Sequence, residues 1–196
     1  PCTTTPPVPT CCSQSNTCGG CKSALCGSGP PPPSGKTLTT RARMRFTPMS
    51  IYRNNYTNFD ELAERENFIV IHPNGISNTW AVSANDDTDI DFIVALLNQL
   101  EEDYNIESNR IYSTGMSMGG FFSFSLACRL SDRVAAVASV TGSMYQPAIN
   151  NCLPVKPMPI IQIHGTEDGI VQYSSVAGLL DFWTSHNNPD DLPIIS

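Results

Sequence analysis

Residues 115 to 119 read Gly-Met-Ser-Met-Gly, a G-x-S-x-G pattern centred on Ser117. In that pattern a serine occupies a sharp turn between a strand and a helix. Its hydroxyl is then exposed, and the next backbone N–H, that of Met118, is able to donate to a developing oxyanion. The flanking glycines leave room for the turn and for close approach of strand and helix. Such a serine attacks a carbonyl carbon, and it needs a base to take its proton and an acid to orient that base. In one known chain order the acid follows the serine and the histidine comes last. The stretch "IHGTEDGIVQY" offers two carboxylates, Glu167 and Asp168, directly after a strand-like run. Catalytic groups gather at the carboxyl ends of parallel strands, which suits that loop. The plain alternatives are a glycine-rich connection around Ser117 and a solvated acidic loop at 167–168.

The chain has three histidines. His72, in "IVIHPNG", precedes the serine, and His164 precedes the acid. His186 follows the acid but ends the helical run "DFWTSH" instead of a strand. None stands where this order puts the base. The expectation is a serine with its acid and without its histidine, and without a partner base a triad hydroxyl loses nearly all its rate.

The elements that must position these groups alternate along the chain. "NFDELAEREN" has Phe59, Leu62 and Ala63 at helical spacing, and "FIVIHPNG" is a short β-rich run closed by a turn. From Asp89 to Tyr104, Ile90, Ile93, Val94, Leu97 and Leu100 share a helical face. "NRIYSTG" reads as a strand, "MGGFFSFSLACRLS" as a helix, "RVAAVASVTG" and "MPIIQIHG" as strands, and "SVAGLLDFWTSH" as a helix. This alternation predicts βαβ units, and hence a mostly parallel α/β sheet with helices on both faces. Trp80, in "NGISNTW", has two readings, a lining of the site's mouth or a packed aromatic.

Composition bounds the class. At 196 residues one sizeable core is allowed, with a small appendage. No apolar run approaches the roughly 20 residues of a membrane helix. The net charge of −7 argues against a nucleic-acid partner. Six of the eight cysteines (Cys2, Cys11, Cys12, Cys18, Cys21, Cys26) lie within residues 1–26, followed by the linker 27–35, "GSGPPPPSG", and the main domain over 36–196. Such density reads as a disulfide-stapled module from an oxidising compartment. The rival is a thiolate metal site around Cys18 and Cys21. The sequon at Asn55 fits secretion, and Pro1 in place of Met suggests a processed product or fragment. Cys128 and Cys152 either pair or remain buried thiols.

Five stretches, in order over about two thirds of the chain, carry a resemblance: "ENFIVIHPNGISNTW", "DIDFIVALLNQLEEDYNIESNRIYSTGMSMGG", "LACRLSDRVAAVASVTGSM", "IIQIHGTEDGIVQY" and "DFWTSH". The chain resembles the secreted esterases that include polyhydroxybutyrate depolymerases and feruloyl or acetylxylan esterases. That resemblance implies an α/β-hydrolase fold, Ser117 as nucleophile and Asp168, at the carboxylate position of "HGTxD", as the acid. It implies ester substrates, possibly polymeric, and no cofactor. It also implies two features that the sequence does not display, so that the fold reads as incomplete. One is a strand ending in His-Gly before the first helix, which supplies a second oxyanion donor. The other is a histidine after a further strand.

Overall fold

The computed structural model describes residues 42–46 and 57–187. The cysteine-rich segment, the linker and the Asn55 sequon lie outside the described residues. Among the described residues there are five strands: β1 Ala42–Phe46, β2 Phe68–Ile71, β3 Ile106–Met116, β4 Ala136–Val140 and β5 Ile160–Ile163. The helices are α1 Phe59–Glu66, α2 Thr88–Asp103, α3 Met118–Arg129, α4 Gln146–Asn150 and α5 Ser174–Asn187. Among the described residues no helix is long and apolar enough to cross a membrane.

The strands form one sheet in the order β2-β1-β3-β4-β5, and every pairing is parallel. All carboxyl ends therefore share one edge. The chain runs outward from β1 to β2 and then crosses to β3 on the other side of β1. That reversal puts the topological switch point between β1 and β3, where open α/β sheets place their ligands. The strand expected from the resemblance but unread in the sequence is thus present as β1, paired on both sides. No His-Gly pair follows it; Thr47 and Pro48 do.

Helix α2 forms because acidic residues fill its first turn and Ile90, Ile93, Leu97 and Leu100 recur on its buried side. Helix α3 is buried nearly all round, with Phe122, Phe124, Leu126 and Ala127 fully enclosed. Trp80 stacks on Phe122 with ring centroids 4.2 Å apart, and Phe124 meets Trp183 of α5 at 6.2 Å. Trp80 is a packed core aromatic, 7% exposed. The Ser113 and Ser123 hydroxyls bond at 2.9 Å, and Ser123 Oγ donates to the Gly119 carbonyl, fastening α3 to β3. On the opposite face of the sheet Ile161 and Ile163 of β5 are 61% and 57% exposed, and among the described residues β5 has no strand on its outer side.

Cys128, at the end of α3, is disulfide-bonded to Cys152, in the loop before β5, across 24 residues. A loop of that length gives about 3.5 kcal/mol of stabilisation on the chain-entropy account. The double variant Cys128→Ala/Cys152→Ala is expected to unfold in urea with about that much less free energy. Equal midpoints would show that the bond stabilises nothing.

Candidate active site

Ser117 lies between the last residue of β3 and the first of α3, with φ 53° and ψ −121°. That backbone is strained for a serine by about 1–3 kcal/mol and persists only when neighbours impose it. They do so here. The Ser117 N–H donates to the Val140 carbonyl at 2.8 Å, and its own carbonyl accepts from Gly120 and Phe121 at 2.8 and 3.1 Å. A Cβ on Gly115 would stand 2.4 Å from the Gly119 carbonyl carbon. One on Gly120 would stand 2.5 Å from Ser139 Oγ and 2.9 Å from Gly142 Cα. The glycines of the motif are there because strand, helix and the loop after β4 touch. The Met118 amide is the first of α3, one of the N–H groups a helix start leaves without an intrahelical partner, at the positive end of the helix dipole.

Asp168 follows β5, at the same sheet edge as Ser117. Its Oδ1 accepts from the backbone N–H groups of Ile170 and Val171 at 2.9 and 3.0 Å. These bonds, Ile170 first and Val171 second, hold the carboxyl below the ordinary aspartate range against the opposing cost of burial. A carboxylate depressed in the fold stabilises above its unfolded pKa, and that contribution fades as pH falls through the lower folded value. Its Oδ2 is the free arm, 3.6 Å from His164 Nε2. Glu167 is exposed, with no such anchorage.

The three histidines go elsewhere. His72 directly follows β2 and meets Asp60 Oδ1 at 3.3 Å. Phe46 pairs with both Ile71 and Ser113, so His72 is two strands over from Ser117 and three residues lower. That separation is about 14 Å between Cα atoms. His164 is level with Ser117 but two strands away on the other side, about 10 Å, with both ring nitrogens engaged. His186 donates to the Lys156 carbonyl at 3.1 Å, and its neighbour Asn187 bonds Met158 ahead of β5. It lies at the far end of α5, about 20 Å from the edge that carries Ser117. Among the described residues, then, no histidine is within hydrogen-bond reach of Ser117.

A profile of the Dienelactone hydrolase family matches residues 70–191, more than half of the chain. The chain belongs to the dienelactone hydrolase family. The chain is also similar to a bifunctional acetylxylan esterase/xylanase of Neocallimastix patriciarum and a probable feruloyl esterase C of Aspergillus clavatus. The first is 31% identical over 131 residues, covering 66% of this chain and 19% of the relative. The second is 32% identical over 120 residues, covering 61% and 42%. The chain thus spans less than half the length of these curated relatives. Among solved structures, an acetyl xylan esterase from Aspergillus awamori superposes with a TM-score of 0.61 at 14% identity, over 76% of this chain and 71% of that one. A phospholipase/carboxylesterase from Dyadobacter fermentans gives 0.60 at 16%, over 77% and 78%. These likenesses establish the α/β-hydrolase fold.

The sequence places Ser117, Met118 and Asp168 at one sheet edge and marks His164 only as a structural histidine ahead of the acid; that reading takes no notice of Gln162. The signal was the alternation in "IIQIHG", which sends Gln162 and His164 to the same side of β5.

Proposed function

We propose that the chain is the nucleophile-and-acid part of a secreted serine carboxylic ester hydrolase. Ser117 Oγ attacks the ester carbonyl, the Met118 N–H receives the oxyanion, and an acyl-serine forms as the alcohol leaves. Water then releases the acid and restores the hydroxyl. Asp168 orients and charge-balances the histidine that takes and returns the proton. The observation that carries this reading is Ser117 on a strained turn at the carboxyl edge of a parallel sheet, beside the switch point, with an anchored carboxylate on the same edge.

The substrate class is drawn from the relatives, whose names specify acetylxylan and feruloyl esters; polyester substrates belong to the same chemistry. Secretion rests on the cysteine-rich segment and on the Cys128–Cys152 bond. The base is none of the three histidines, so turnover belongs to a longer product that brings one to Ser117. The same placement favours a second reading, a non-catalytic polymer-binding protein on a hydrolase scaffold.

An aryl phosphonate ester tests the proposal in that longer product. It is expected to add covalently to the tryptic peptide containing Ser117 and to stop hydrolysis of p-nitrophenyl esters in step. Hydrolysis surviving full modification would overturn the mechanism, and absence of any adduct together with polymer binding would favour the second reading.

A further inference from the structure

We propose that His164 is a positioning residue for Asp168, held in one neutral tautomer by Gln162, and that the pair ties the acid's turn to the loop behind Ser117. The inference rests on the reading of Asp168 as the acid of the site.

The His164 side chain is 2% exposed, and both of its ring nitrogens are engaged. Nε2 is 2.6 Å from the Val171 carbonyl oxygen. A carbonyl only accepts, so Nε2 carries the hydrogen. Nδ1 is 2.9 Å from the Gln162 amide nitrogen, which also lies 2.8 Å from the Gly142 carbonyl. Turning that amide round would set its oxygen against a carbonyl oxygen, so the network assigns nitrogen to this position. One of its hydrogens goes to Gly142, the other to Nδ1, which is therefore the lone-pair nitrogen. A proton on Nδ1 would set donor against donor.

The consequence for the site follows from Val171. Its carbonyl accepts from His164, and its N–H donates to Asp168 Oδ1. A shift of that residue therefore shifts the carboxylate. At the other end, Gly142 lies against Gly120 of α3, so closely that a Cβ on Gly142 would stand 2.7 Å from Gly120 Cα. The path from acid to nucleophile thus runs Asp168, Val171, His164, Gln162, Gly142, Gly120, Ser117, with a bond or van der Waals contact at each step, the last being the Gly120 N–H donating to the Ser117 carbonyl at 2.8 Å.

The test is NMR on the 196-residue protein, which needs no turnover. Long-range nitrogen–proton correlation is expected to show His164 as a single neutral form with its hydrogen on Nε2. Carboxyl titration should place Asp168 below the ordinary aspartate midpoint. In His164→Leu that midpoint should rise toward the ordinary range, and the Val171 amide should exchange about tenfold faster, as for loss of one hydrogen bond. His164→Gln, which keeps an N–H at the ε position, should hold both near wild type. A merely structural role would lower the melting temperature without moving the Asp168 midpoint. A hydrogen on Nδ1, or an unmoved Asp168 in a folded His164→Leu, would overturn the proposal. If His164→Leu does not fold, Gln162→Met serves instead. It should release the ring into a tautomer mixture, and a ring unchanged from wild type would refute the role of Gln162. A failed Ser117 labelling with these couplings intact removes the catalytic reading alone, and the reverse outcome removes only the coupling.

Discussion

Alanine at Ser117 is expected to lower kcat about 10⁶-fold toward a p-nitrophenyl acyl ester in a product that carries a histidine base. The same substitution should change nothing in the 196-residue chain. The size follows from the unit behaviour of a triad, in which losing the nucleophile or the histidine alone costs about as much as losing everything. In the short chain the histidine is already missing from Ser117: His72 and His164 are each two strands away, and His186 is at the opposite edge. Whatever hydrolysis the short chain shows should come from binding and oxyanion contacts, and these survive the change to alanine. The measurement is kcat for both lengths, each with and without Ser117. A clear loss in the short chain would mean that a base does reach Ser117, and His186→Ala would then be assayed. No serine dependence in the longer product would favour the binding protein.

Asp168→Asn should cost about 10⁴-fold in kcat in the longer product while leaving the fold intact. Oδ1 is held by two backbone donors, Ile170 and Val171, so the asparagine oxygen must take that place. Its NH₂ group is then forced into the position of Oδ2, where a donor confronts the histidine N–H and selects the wrong tautomer. Glu167→Gln, on an exposed side chain, should stay within about twofold, the ordinary range for a surface change. A larger loss at Glu167 than at Asp168 would reverse the assignment of the acid.

The parts of the fold legible in the sequence were those whose signal is local. Ile90 through Leu100 repeat at helical spacing, and the glycines of the G-x-S-x-G turn and the glycine after it are required for contacts that can be named, Gly115 on Gly119 and Gly120 on Gly142. β1 was passed over although "ARMRF" alternates apolar and charged residues, because five residues with two arginines make a short, weak signal. Its identity as a strand comes from partners 25 and more residues away, Phe68 to Ile71 and Ile111 to Ser113. The pairing of Cys128 with Cys152 was equally non-local, since nothing in the chain says that the end of α3 meets the loop before β5. His164 lay in plain view in "IHGTED". Its bonds run to a carbonyl seven residues on and to a side chain two residues back, and no periodicity reports such contacts.

The outer side of β5 sets how the protein behaves in the tube. Among the described residues nothing pairs with the outer side of β5, which carries the exposed Ile161 and Ile163, and such an edge is a template on which another copy can add its own strand. The net charge of −7 opposes that encounter at low ionic strength, and salt removes the opposition by shortening its range. Purified alone, the chain should therefore be a protein whose particle size grows with concentration and with added salt, kept best in dilute, low-salt buffer well above its pI of about 4.8.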